Sequence, residues 1–305
     1  METAGSNWQG VFPAVTTPFT EEERVDVPGL HRLVDFLVEG GVDGLIMLGT
    51  LGEGSVLSSE EKELVLREAL AAADGRVPVL AGVAETTTRA ACRFAERAAA
   101  LGVQGFMALP ALLYNALPHE TLAHFQALAR ATDLPLMLYN NPVLYGVDVT
   151  PEMLAELADE PRIVAVKESS EDVRRITDIR VHTGDRYRLF VGVDDLVLEG
   201  VAAGADGWVA GLTNAFPRES VALFRLAREG RLDEARRLYR WFMPLLHLDA
   251  SPQLVQHIKL AQALVGVGSE HVRPPRQPLQ GERRRAVEAL IRKALDTHAE
   301  IEDLL

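Results

Sequence analysis

Residues 134–170 read LPLMLYNNPVLYGVDVTPEMLAELADEPRIVAVKESS, and the fold turns on how this stretch is parsed. Leu134–Tyr139 is a short, nearly continuous apolar run, and so is Ile163–Lys167 up to its terminal lysine. Runs of this length without polar alternation suit parallel strands buried on both faces. Between them, Thr150-Pro151-Glu152 offers an N-cap residue followed by proline at the first helical position. The stretch therefore predicts strand, helix, strand.

The same alternation extends in both directions. Further strands are expected at Val11–Thr17, Gly44–Leu48, Val77–Gly82, Gly105–Leu109, Arg188–Gly192 and Gly207–Gly211. Helical patterns separate them near Gly29–Glu39, from Ser58 with its capping pair Ser58 and Glu61, and near Thr88–Leu101, His119–Thr132, Asp172–His182 and Leu196–Ala203. Eight strands alternating with helices define an α/β protein, either a closed (β/α)8 TIM barrel or a large doubly wound sheet. The count favours the barrel, and no glycine-rich dinucleotide fingerprint or phosphate loop follows the first strand. After Gly211 only helices are expected: Ser220–Glu229, Leu232–Leu246, Gln253–Val265 and Gly281–Ala299. The first closes the barrel, giving a catalytic barrel over residues 1–230 and a C-terminal helical appendage over 231–305.

Composition narrows the function. The 305 residues carry a formal net charge of −13, which argues against a nucleic-acid partner. The one basic run, Arg283 to Arg285, reads as a solvated helix face. No apolar run approaches a membrane span, and Met1 to Gly10 lacks the pattern of a signal peptide, so a cytoplasmic location without membrane partners is expected. The single cysteine, Cys92, excludes an internal disulfide and reads as a buried, inert thiol.

In a barrel of this kind, chemistry gathers where strands end. Lys167 ends an apolar strand. Desolvation there would favour the neutral amine, which can attack a carbonyl carbon and form an imine; a lysine snorkelling out of the strand end fits the same position. Tyr139 ends the preceding strand and is either a proton carrier or an aromatic layer residue. The loop Gly49-Thr50-Leu51-Gly52-Glu53-Gly54 has three glycines in six residues, suited to a carboxylate anion or simply to a tight turn. None of the eight histidines shows a metal-binding spacing, and the pair Asp194-Asp195 does not by itself define a cation site. No GxSxG elbow is present.

These elements together resemble the dihydrodipicolinate synthase / N-acetylneuraminate lyase family of class I aldolases. The resemblance rests on G-T-x-G-E at Gly49–Glu53, Y-N-x-P at Tyr139–Pro142, K-E at Lys167-Glu168 and G-x-D-D at Gly192–Asp195. It implies Lys167 as the Schiff-base lysine, Tyr139 as the proton-transfer tyrosine, and Tyr114 as the tyrosine lent to a neighbouring subunit. It also implies substrate contacts from Gly49, Thr50, Leu51, Asn141, Gly192 and Val209, with no metal or cofactor, and a homotetramer built as a dimer of dimers.

Two positions depart from the synthases. Leu51 stands where they carry a second threonine. Pro142-Val143-Leu144-Tyr145-Gly146 lacks the arginine that pairs with the carboxylate of aspartate semialdehyde. The longer pattern, including Leu80–Glu85, Tyr145–Asp148 and Lys167–Ser170, is similar to 1-pyrroline-4-hydroxy-2-carboxylate deaminases of hydroxyproline degradation. The expected reaction is then dehydration and deamination of a cyclic imino acid to 2,5-dioxopentanoate and ammonia. The alternatives are dihydrodipicolinate synthase itself, another pyruvate-dependent aldolase, or a 2-keto-3-deoxy sugar acid lyase or dehydratase. A non-catalytic keto-acid-binding barrel and a metal-dependent aldolase barrel complete the set.

Overall fold

A computed structural model describes residues 8–305. Residues 1–7 of the N-terminal stretch read above, and of the expected barrel region, lie outside the described residues.

Eight strands form one all-parallel sheet: β1 (Gly10–Pro13), β2 (Leu45–Met47), β3 (Val79–Val83), β4 (Gly105–Ala108), β5 (Leu136–Asn140), β6 (Ile163–Glu168), β7 (Arg188–Val191) and β8 (Gly207–Ala210). From β2 to β8 each strand pairs with the next in sequence, and β1 pairs with β8. The barrel closes between β1 and β2 through the Ala14–Ile46 bridge and the bond from Val15 N to Ile46 O, 2.9 Å.

The intervening helices are α1 (Val27–Glu39), α2 (Ser59–Ala73), α3 (Thr88–Leu101), α4 (Pro118–Arg130), α5 (Pro142–Tyr145), α6 (Pro151–Glu156), α7 (Arg174–Thr183) and α8 (Val197–Ala202). The helices α9 (Pro217–Arg228), α10 (Leu232–Leu246), α11 (Leu254–Val265) and α12 (Gly281–Asp296) follow β8. Local chemistry starts several of them where the sequence predicts. Ser58 and Glu61 form the reciprocal capping box of α2, and Thr150 caps α6 ahead of Pro151.

The core divides by the period of two along each strand. Ile46, Leu80, Met107, Met137, Ala165 and Phe190 belong to a buried cluster that fills the barrel and runs on into α9–α12. The alternate residues, such as Leu45, Met47, Phe106, Leu138 and Val166, belong to a second cluster shared with α1–α4, α6 and α7.

Three expectations change. β1 ends at Pro13 rather than Thr17, because Thr16 and Thr17 bond to loops instead of the ladder: Asn214 Oδ1 accepts from Thr16 N at 3.1 Å, and Gly52 O accepts from Thr17 Oγ1 at 2.6 Å. Helix α5, capped by Asn141 and ended at Gly146 (φ 72°), was not expected. Cys92 is half-buried rather than buried. The face of α3 that meets the core is Ala91, Phe94, Ala95 and Ala98, and Cys92 lies about 100° round the helix from Ala91.

Candidate active site

The carboxyl-terminal ends of the strands surround a cavity of about 280 Å³. Thr50, Leu51, Tyr139, Asn141, Lys167, Gly192 and Val209 line it. Gly49 is not among the lining residues. Tyr114 is also off the lining and 57% exposed, in the loop before α4.

Lys167 and Tyr139 are register partners on β6 and β5, so both side chains leave the same face of the sheet. Lys167 Nζ lies 4.1 Å from the centre of the Tyr139 ring. Both residues are buried. Burial pushes the lysine ammonium down to about 8, against the opposing pull of the neighbouring carboxyls Asp249 and Asp194. Burial also pushes the Tyr139 phenol up to about 12, although Asn141 Nδ2 donates to its oxygen at 3.0 Å.

The next residue on each strand faces the other way and locks the pair. Asn140 Nδ2 donates to Glu168 Oε2 at 3.0 Å and to Asp148 Oδ1 at 3.1 Å, while Asn140 Oδ1 accepts from Val149 N at 2.9 Å. Ser170 N donates to Glu168 Oε1 at 2.6 Å. The Y-N and K-E dipeptides thus each pair one cavity-facing residue with one holding residue. Gly192 has a separate reason: a Cβ there would sit 1.9 Å from Ser169 Oγ and 2.7 Å from Lys167 Cε, so a side chain would evict the lysine.

On β2 the chain turns sharply. Leu48 adopts φ 63° and Glu53 φ 51°, conformations that cost about 1–3 kcal/mol each outside glycine. A buried ion pair holds this turn: Lys259 Nζ on α11 donates to Glu53 Oε1 at 2.6 Å, and Arg273 N donates to Glu53 Oε2 at 3.2 Å. Thr50 is thereby placed against Tyr145 of α5, with Thr50 Oγ1 and Tyr145 Oη 2.5 Å apart. The Tyr145 ring stands edge-on to Tyr139 at 5.8 Å, and burial raises its phenol.

Sequence reasoning did not single out Tyr145, Ser169 or Asp249. Tyr145 and Ser169 lay inside quoted stretches. Asp249 follows α10, far from any strand end, and no local signal marks it. It lines the cavity, and its Oδ1 is buried without a hydrogen-bond partner, as is Ser169 Oγ. Asp194 and Asp195 have separate partners: Asp194 accepts N–H bonds from Trp208, Gly211 and Leu212, and Asp195 pairs with His247 at 2.7 Å.

A closed parallel barrel with a desolvated lysine at the end of its sixth strand defines a lyase of the class I aldolase type. The chain belongs to the dihydrodipicolinate synthetase family, whose model matches residues 7–294. It is 35% identical to the 4-hydroxy-tetrahydrodipicolinate synthase of Methanosarcina mazei over 276 residues, covering 89% of this chain and 93% of that one. The synthase of Pelobacter propionicus is 34% identical over 291 residues, 94% and 98% of the two chains. The structure of the synthase from Methylacidiphilum fumariolicum SolV superposes with a TM-score of 0.94 at 29% identity, covering 98% of this chain and 99% of that one. A prophage protein of the dihydrodipicolinic acid synthase family from E. coli K12, in complex with pyruvate, superposes with a TM-score of 0.89 at 30% identity, covering 95% and 99%. These relatives carry the synthase or family name; the expected likeness to hydroxyproline-pathway deaminases has no counterpart among them.

Proposed function

We propose that this chain is a lysine Schiff-base lyase for a small 2-keto or cyclic imino acid. The observation that carries this reading is the register-matched pair of buried Lys167 and Tyr139 inside one cavity. Lys167 attacks C2 of the substrate as the neutral amine, and the resulting imine draws electrons from the neighbouring bond. Tyr139, oriented by Asn141, carries the proton to or from C3. Thr50, with the backbone of Gly49 and Leu51, receives the substrate carboxylate, and Gly192 and Val209 wall the site. No cofactor takes part in this route.

Two substrate readings divide on different observations. The names of the relatives favour 4-hydroxy-tetrahydrodipicolinate synthesis, a condensation of pyruvate with aspartate semialdehyde. The lining of the cavity favours a single-substrate reaction such as deamination of 1-pyrroline-4-hydroxy-2-carboxylate. Lys167 is the one basic residue among the lining residues, which include Glu171 and Asp249, so a second anionic substrate lacks a cationic partner there. The comparisons back the synthase reading better; what supports the single-substrate reading is the lack of a second cation among the lining residues.

Intact mass after borohydride tests both levels. Wild-type protein is expected to gain an adduct with pyruvate and with the pyrroline, and Lys167→Ala to gain neither. Substantial turnover by Lys167→Ala sinks the mechanism. Ammonia release from the pyrroline supports the single-substrate reading; consumption of aspartate semialdehyde with pyruvate returns the assignment to the synthase.

The self-association implied by the family resemblance belongs to the same proposal. Leu113, Tyr114 and Leu117 expose apolar surface in the loop before α4, where Tyr114 would serve a second copy in a homotetramer. A cytoplasmic location accompanies this reading.

A further inference from the structure

Asp249 lies in the connection between α10 and α11 and lines the cavity that holds Lys167. The fold makes room for it: a Cβ on Gly211 would fall 1.9 Å from Asp249 Oδ1. Its neighbour Asp194 is a different kind of carboxyl. Trp208 Nε1, Gly211 N and Leu212 N all donate to Asp194, at 3.1, 3.1 and 2.8 Å. Of two facing carboxyls, the one given N–H donors keeps the negative charge, and the one given none keeps the proton. Asp194, Asp195, Lys167 and Tyr139 are the titratable groups that face Asp249, and burial with the Asp194 charge holds its carboxyl well above the ordinary range. Of the other titratable lining residues, Tyr139 and Lys167 have roles, and Glu171 is exposed.

We propose that Asp249 is the general acid of this site, protonating a hydroxyl that leaves from the carbon next but one to the imine carbon. This rests on the Schiff-base reading and names its substrate class: 2-keto or imino acids carrying a hydroxyl at C4. Loss of the C3 proton through Tyr139 leaves its electron pair in a C2–C3 enamine. The nitrogen pair then re-forms the iminium, C3=C4 forms, and the C4–O bond breaks with its pair on oxygen. That oxygen takes the Asp249 proton and leaves as water. Tyr139 takes the C3 proton as its own phenol proton passes on to solvent, and a solvent proton recharges Asp249, so the net loss is one water. Hydroxide is too poor a leaving group to depart unaided, whereas fluoride departs without a proton.

The test compares wild type with Asp249→Asn on three probes: pyruvate trapping by borohydride, 1-pyrroline-4-hydroxy-2-carboxylate, and its 4-fluoro analogue. Pyruvate trapping is expected to persist, which also certifies the fold. Elimination from the hydroxy substrate is expected to fall by about 10²–10⁴-fold, and from the fluoro analogue by no more than about tenfold. Equal loss on both leaving groups, loss of trapping, or retention of hydroxyl elimination each overturns the acid. A wild type that traps pyruvate but eliminates neither leaving group overturns the single-substrate reading together with the acid. An active wild type beside an unaffected Asp249→Asn overturns the acid alone.

Discussion

Lys167 sits where two demands conflict. Burial disfavours its charge, while the acidic groups beside it favour that charge, and burial wins, bringing the ammonium down to about 8. The sign for the chemistry follows directly. Imine formation consumes the neutral amine, so its single-turnover rate should rise with pH through about 8 and level off above. On the acidic side it should fall about tenfold per pH unit. A borohydride-quenched time course checks this, and a rate independent of pH across that range contradicts the assigned nucleophile. Asn141 and Gly192 act on the same scale, one bonded to the tyrosine oxygen and the other vacating space for the lysine chain. Tyr145 supplies a hydroxyl beside Thr50 from within the same chain.

At the scale of elements, strand alternation does most of the positioning. Each of β5 and β6 ends in an inward residue at the cavity followed by an outward polar one, and the outward pair ties the strand ends to each other and, through Asp148, to Arg175 of α7. The turn after β2 depends instead on a distant helix. Glu53 and Lys259 are both buried, and Lys259 Nζ also lies 4.4 Å from the centre of the Phe19 ring. Removing Lys259 leaves the buried Glu53 carboxylate with only the more distant Arg276, at 3.7 Å, as a charged partner. Lys259→Met should therefore cost about 3–5 kcal/mol in denaturant unfolding. Pairing it with Glu53→Gln should recover part of the loss, whereas additive losses would show that the two charges do not support each other. Activity should fall with the single variant, because the same turn carries Thr50.

For the whole molecule, the acidic surface and the exposed apolar loop point to different partners. The net charge of −13 disfavours phosphate polymers. Among the described residues, no helix is long and apolar enough to cross a membrane. Leu113 is 88% exposed and stands beside Tyr114 in a loop that packs against the end of α5 through Asn115 and Gly146. A second copy is the expected cover for this surface. Sedimentation of wild type should give an oligomer, and Leu113→Asp combined with Leu117→Asp should shift it to smaller species. A wild type that is monomeric at micromolar concentration removes the case for Tyr114 as a shared residue.

The eight-stranded barrel was legible because its signal is local and repeated: short apolar runs, capping residues and glycine turns recur in the order that a parallel barrel demands. The chemical class was legible through the resemblance carried by the strand-end motifs, since position alone left Lys167 and Tyr139 open to bland readings; that the two share a face was set by the register of β5 on β6. Other features depend on long-range approach. Thr16 and Thr17 left the sheet because distant partners, Asn214 and Gly52, took their hydrogen bonds. Glu53 found Lys259 across 206 positions of sequence. Asp249 reached the cavity because the connection after α10 lies against Gly211, just past β8, where the glycine leaves space. Sequence by itself determined the elements and the strand-end residues, because backbone periodicity and capping act within a few residues. Tertiary structure decided which polar groups from the C-terminal helical region meet the lysine, because burial and partnering arise only when separate parts of the chain pack together.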